Sequence, residues 1–205
     1  MYRVLRDPVL LLVMVPVLIW ALSFHEFCHG FAAKMLGDPT AERSGRLSLN
    51  PFVHFDFVGT LMLLFIGFGW AKPVPINSRY FKNPKRDLII VSLAGVAGNI
   101  LTAIVTVLFI KFFGPYWHKF TGIAGALFIA QMIKINMGLA AFNLIPIPPL
   151  DGSRILEAFL PYKYMGYYYW CERYGTIILF LLLVTGIINL ILNPIIKFLW
   201  LLLPY

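Results

Sequence analysis

The chain has 205 residues, of which 60% are hydrophobic and only 13% are charged, and its mean hydropathy is +0.81. Soluble domains are about half apolar and about a quarter charged, so this balance excludes an ordinary soluble protein. It predicts an all-α polytopic membrane protein in which residues 1–205 form one membrane-embedded domain. The net charge is +8, but the basic residues lie between apolar runs, which is typical of topology determinants and excludes a nucleic-acid partner.

The first predicted element is a membrane helix from about Pro8 to Leu36, ended by the turn signal Gly37-Asp38-Pro39. It carries the pattern HExxH, with His25, Glu26 and His29. Residues four apart share a face of a helix, so both imidazoles can reach one metal ion, and Glu26 can lie beside a metal-bound water. Three ionisable groups are costly in a bilayer unless they line a functional cavity. The alternative is a polar cluster that joins helices by hydrogen bonds.

The region after this helix is predicted to be irregular. Residues 38–57 are polar and rich in turn formers, and the apolar stretch Phe57–Trp70 is shorter than the about 20 residues that a span needs. We expect Phe57–Trp70 to be a re-entrant or interfacial element, although a full crossing is left open. The prolines of Ala71–Phe81 predict an extended segment, because proline does not fit a helix interior.

The remaining chain predicts three more spans, about four in total. They cover about Asp87–Phe113, Gly122–Leu144 and Gly175–Leu192, with a short loop at 114–121. The third span of the chain ends in a proline-rich break directly before Asp151. The core is expected to cover about 8–155, followed by the last span and an interfacial tail from 193 to 205.

The distribution of lysine and arginine predicts the orientation. If Phe57–Trp70 does not cross, most basic residues fall on the side of the loop 38–86. The positive-inside rule then places the N-terminus outside and this loop in the cytoplasm. The HExxH motif and Asp151 come to similar depth, near the cytoplasmic side, which a shared metal site requires.

Asp151 is the expected third ligand of a zinc ion. Two histidines leave a catalytic zinc ion one protein ligand short, because it usually takes three and a water. An irregular, proline-rich backbone at membrane depth also needs a polar cavity. The alternative is that Asp151 caps a helix that begins near Ser153.

These motifs resemble those of the site-2 protease family of intramembrane zinc metalloproteases, in the short form without a PDZ or CBS domain. The matching stretches are His25-Glu-Phe-Cys-His29 and Asn143-Leu-Ile-Pro-Ile-Pro-Pro-Leu-Asp-Gly152, with support from Gly45-Arg-Leu-Ser-Leu-Asn-Pro51, His54-Phe-Asp56, Gly59-Thr60, Gly69-Trp-Ala-Lys-Pro-Val-Pro-Ile-Asn77, and Ser92-Leu-Ala-Gly95 with Asn99. The chain departs from the family at Val96, where proline often follows the glycine.

The resemblance implies a role for each matching residue. His25, His29 and Asp151 carry over as the ligands of one zinc ion per chain, and Glu26 as the catalytic carboxylate. Asn143 carries over as a residue that contacts substrate or the developing oxyanion. The family also implies a membrane-embedded β-element between the first two core helices. Asn99 and Asn136 are expected to join helices by hydrogen bonds, with an active-site role as the alternative.

The expected function is that of an intramembrane zinc endopeptidase, which cleaves transmembrane segments in regulated intramembrane proteolysis. Glu26 would assist the attack of a zinc-bound water on a locally unwound substrate, with which the loop 45–77 could pair as an extended strand. The expected partners are a transmembrane protein or peptide substrate and the bilayer of a prokaryotic cell membrane, with self-association left open.

The sequence also leaves three other functions open. The main alternative is a catalytically inactive pseudoprotease that binds membrane helices. A transporter is disfavoured because the chain has no internal repeat. A zincin of another type would need Glu157 or Glu172 as third ligand, and neither lies in a second motif.

Overall fold

The computed structural model of the protein describes residues 8–57, 59, 69 and 71–204, and every regular element among them is helical. Helical hydrogen bonding continues from Pro84 to Asn143, but Gly122 has the non-helical angles φ 57° and ψ −141°. We therefore number two helices within this stretch. The helices are α1 (Pro8–Met35), α2 (Thr40–Arg43), α3 (Pro84–Trp117), α4 (Thr121–Asn143), α5 (Asp151–Phe159), α6 (Met165–Val184) and α7 (Ile188–Trp200).

Three of these helices, α1, α3 and α4, are long and apolar enough to cross a membrane. The bent pair of α6 and α7 gives a fourth if it is one span, with 86° between its two parts. The predicted class, an all-α polytopic membrane protein of about four spans, is confirmed. The predicted loop at 114–121 is mostly helical, and the chain leaves helical geometry at Gly122, whose positive φ suits glycine.

Helices α1 and α3 approach each other closely through small residues. A Cβ on Gly98 would lie 2.6 Å from Sγ of Cys28, so the absence of a side chain at Gly98 sets this separation. Ala21 and Ala33 of α1 are fully buried, as is Ala103 of α3. This close contact brings the motif of α1 against α3.

The C-terminal part differs from the predicted span Gly175–Leu192 and interfacial tail. The helix ends at Val184 because the chain turns at Gly186, whose φ is 74°. Helix α7 then packs on α3 and α4, and Leu199 and Leu203 are buried in one cluster with Met137. Apolar residues of the predicted interfacial tail are therefore buried in the core of the helix bundle.

The loop after α1 is tied to the segment 71–77. The fully buried carboxylate of Asp38 accepts hydrogen bonds from the backbone N–H groups of Thr40 (2.9 Å) and Asn77 (2.7 Å). The N–H of Lys72 donates to the carbonyl of His54 (2.9 Å). Within the predicted extended segment Ala71–Phe81, residues 71–77 are irregular, as the prolines predict, but Ser78–Tyr80 form a 3-10 helix. Segment 71–77 forms no strand ladder with any described residue. The stretch predicted as re-entrant, Phe57–Trp70, lies almost wholly outside the described residues.

Candidate metal centre

Three side chains converge between α1, α3 and the start of α5. The Nε2 atoms of His25 and His29 are 2.9 Å apart, and each lies 3.2 Å from Oδ2 of Asp151. Both histidines are buried, and Asp151 is nearly so. Among the described residues, these three side chains form the group of histidine, cysteine or acidic residues whose ligand atoms lie close enough together to bind one metal ion.

The other nitrogen of each imidazole determines what the Nε2 atoms present. Nδ1 of His29 lies 2.7 Å from the carbonyl oxygen of Val91, and a carbonyl can only accept, so this Nδ1 carries a proton. Nδ1 of His25 lies 2.7 Å from Oδ1 of Asn99 and donates in the same way. In a neutral imidazole the Nε2 atom is then unprotonated. Two nitrogen lone pairs and a carboxylate oxygen therefore face one another.

This arrangement fits a zinc ion, since in their neutral forms the two imidazoles offer no donor that would join the three groups by hydrogen bonds. Donor atoms around a tetrahedral zinc ion at about 2.0–2.1 Å are separated by about 3.3 Å, close to the observed 2.9 and 3.2 Å. Oδ2 of Asp151 is buried and has no hydrogen-bond partner among the described residues. Three adjacent acceptors in a buried site repel one another unless a cation lies between them.

The backbone around Asp151 brings it to the histidines. Asp151 begins α5, and a Cβ on Gly152 would lie 2.6 Å from the carbonyl oxygen of Ile145, so glycine allows this helix to start against the end of α4. The N-cap position of α5 is Leu150, and no described side chain caps this helix, so Asp151 does not act as its cap. As a metal ligand, Asp151 would bind through its deprotonated carboxylate.

Glu26 lies next to this group without joining it. Its Oε2 accepts a hydrogen bond from the backbone N–H of Val74 (2.8 Å), so segment 71–77 holds the carboxylate in place.

The other predicted site residues lie outside this group. Asn143 is the last residue of α4, and its amide donates to the carbonyl of Leu139 (3.1 Å). The substrate contact of Asn143 stays a prediction. Glu157 and Glu172, the alternative third ligands, are not part of the metal-binding group.

Asn99 bonds directly to His25, which fits the active-site role that the sequence leaves as the alternative to joining helices. The sequence patterns do not reveal the role of a second residue, Gly95. Gly95 of α3 lies directly against both imidazoles. A Cβ there would be 2.6 Å from Cε1 of His25 and closer still to Nε2 of His29. Only a glycine leaves room for the two rings.

We expect Gly95→Ala to weaken zinc binding about tenfold or more, since the new methyl group displaces the ligand rings. Competition with a chromogenic chelator on the purified, lipid-reconstituted protein measures this. Gly138→Ala is the matched control, because a Cβ at Gly138 of α4 meets no atom of the described residues within 4 Å, apart from its chain neighbours and the nearby backbone of its own helix. Wild-type affinity in Gly95→Ala would contradict the close packing of Gly95 against the two imidazoles.

Known proteins resemble this chain over most of its length. The model of peptidase family M50 matches residues 120–185. The chain is 37% identical over 186 residues to "Putative zinc metalloprotease YwhC" of Bacillus subtilis (strain 168), which covers 88% of this chain and 84% of that protein. It is 32% identical over 177 residues to "Putative zinc metalloprotease Rip2" of Mycolicibacterium smegmatis, covering 82% of this chain and 65% of that protein.

A third similarity reaches an archaeal protein. The chain is 30% identical over 140 residues to "Putative zinc metalloprotease MJ0611" of Methanocaldococcus jannaschii, over 65% of this chain and 63% of that protein. No solved structure matches the chain. The similarity to YwhC over most of both proteins, together with the family match, shows that this chain belongs to peptidase family M50, the site-2 protease family, and is an integral-membrane zinc metalloprotease.

Proposed function

We propose that the protein is an intramembrane endopeptidase that cleaves transmembrane segments, with His25, His29 and Asp151 as zinc ligands and Glu26 as the proton-transferring group. One observation carries the proposal: three lone-pair donors converge on one point, and two of them lie within α1, a helix apolar enough to cross a membrane. A hydrolytic site within a spanning helix is accessible to substrates that themselves lie in the membrane.

The chemistry follows from the residue types. When bound, zinc polarises the scissile carbonyl and acidifies water. The Glu26 carboxylate accepts a proton from the attacking water and returns it to the leaving amine. The hydrogen bond from Val74 holds this carboxylate while the proton moves. Asn143, at the end of the helix that leads to Asp151, contacts the substrate or the developing oxyanion.

Segment 71–77 is suited to hold an unwound substrate. A transmembrane helix hides its carbonyl groups in internal hydrogen bonds, so the substrate must unwind before attack, and its freed backbone groups then need partners. The carbonyl groups of Lys72 and Val74 make no hydrogen bond with any described residue, and Val74 contacts Glu26. A substrate strand that pairs there lies next to the catalytic carboxylate.

We place the protein in the cell membrane of a prokaryote, with the N-terminus outside and the active site toward the cytoplasm. The basic residues around the loop 38–86 support this orientation. The similarity to a Bacillus subtilis protein supports the source. Residues 1–205 act as one membrane-embedded unit in this proposal.

A cleavage assay with the full chain in lipid nanodiscs tests the proposal. A model substrate with one transmembrane helix is expected to be cut inside its apolar segment, as read by the masses of the products. A zinc chelator should stop cleavage, and added zinc should restore it. A Leu-rich helix without Gly, Pro or Asn should be cut more slowly, because it unwinds less readily. Cleavage confined to soluble loops, or unaffected by chelation, would refute the proposal.

A further inference from the structure

A row of buried side-chain amides joins α4 to the metal centre through α3. Nδ2 of Asn99 donates to Oδ1 of Asn136 (2.9 Å) and to the carbonyl oxygen of Ala21 in α1 (3.1 Å). Nδ2 of Asn136 donates to the carbonyl oxygen of Met132 (2.8 Å). Both asparagines are fully buried. The row therefore links three helices and ends at Nδ1 of His25.

The backbone fixes the direction of every bond in this row. The carbonyl oxygens of Met132 and Ala21 only accept hydrogen bonds, so each must face an NH₂ group. Asn136 consequently presents its oxygen to Asn99, and Asn99 presents its own oxygen to His25. The imidazole must then carry its proton on Nδ1, which leaves the lone pair of Nε2 directed at the metal centre.

The two histidines differ in what orients them. His29 is held by the main-chain carbonyl of Val91, which no side-chain substitution removes. His25 is held by Asn99, whose amide is itself kept in one of its two orientations by Asn136 and Ala21. The orientation of one proposed ligand thus depends on two side chains that do not bind metal.

We propose that Asn99 and Asn136 are positioning residues, which lock His25 in the tautomer and ring orientation that bind zinc. This inference rests on the proposed metal site. Asn99 acts directly on His25, and Asn136 acts through Asn99 without touching a ligand. Changes in such outer partners typically lower metal affinity about 10- to 100-fold.

Zinc affinity of the purified full chain in lipid, measured by chelator competition, tests this role without reference to cleavage. Asn99→Leu is expected to bind zinc about 10- to 100-fold more weakly, and Asn136→Leu about tenfold more weakly. Asn136→Asp, which burial favours in its protonated form, keeps an oxygen toward Asn99 and an O–H toward the carbonyl of Met132, so it should bind zinc more tightly than Asn136→Leu. In the cobalt-substituted protein, both leucine variants should change the visible absorption of the tetrahedral ion.

A matched control separates positioning from packing. Thr106 is also buried in α3, but its hydroxyl donates only to the carbonyl of Thr102 in its own helix, so Thr106→Val should keep wild-type affinity and spectrum. Wild-type affinity in a folded Asn99→Leu or Asn136→Leu would overturn the proposal. So would an equal loss in Thr106→Val, or equal affinities of the two Asn136 variants. Failure of the wild type to bind zinc would instead refute the proposed metal site.

Discussion

Glu26→Gln is expected to lower the rate of substrate cleavage about 100- to 10,000-fold, the range that loss of general acid–base catalysis produces, while the protein keeps its zinc. Glutamine has nearly the same shape as glutamate, and its carbonyl oxygen can still accept the hydrogen bond from Val74. It cannot take a proton from water at neutral pH. The measurements are the initial cleavage rate of a model membrane substrate and the zinc content of the same preparation.

The matched control for this variant is Glu42→Gln, which makes the same change on the surface. Glu42 is exposed and pairs with Lys34 (2.6 Å), and exposed ion pairs contribute little to stability. Its rate should equal that of the wild type. If Glu26→Gln cleaved at the wild-type rate, Glu26 would not be the proton-transferring group. An inactive wild type would instead favour the alternative of a pseudoprotease that binds membrane helices.

The helical part of the site could be predicted because its geometry is local. In a helix, the spacing of His25 and His29 alone places both rings on one face, and the structure has their Nε2 atoms 2.9 Å apart. Asp151 required a second step, since its position depends on how deep the first and third predicted spans lie. The structure brings Asp151 to the histidines, where the family resemblance expects the third ligand.

The features that escaped prediction are those that tertiary packing decides. A glycine such as Gly95 looks like any small residue at a helix interface, and only the closeness of α1 and α3 gives it a particular role. The apolar residues of α7 fit a lipid-facing tail as well as a core, because hydrophobicity does not distinguish lipid from protein surroundings. Leu199 is buried because the chain turns at Gly186, a tertiary outcome that hydropathy does not encode.

Asp151→Asn is expected to release zinc and abolish cleavage, in contrast to Glu26→Gln, which keeps the metal. The amide is neutral, so the two Nε2 lone pairs lose the anionic partner that completes the site. Zinc affinity should therefore fall more than about 100-fold, the upper end of the loss that follows changes in residues that only orient the ligands. Zinc content after dialysis and chelator competition measure this loss.

The matched control is Asp87→Asn. Asp87 is also a buried aspartate in the first turn of a helix, but it bonds to Arg86 (2.9 Å) and to the N–H of Asn83 (3.0 Å). It should retain zinc, whereas wild-type affinity in Asp151→Asn would remove Asp151 from the ligand set.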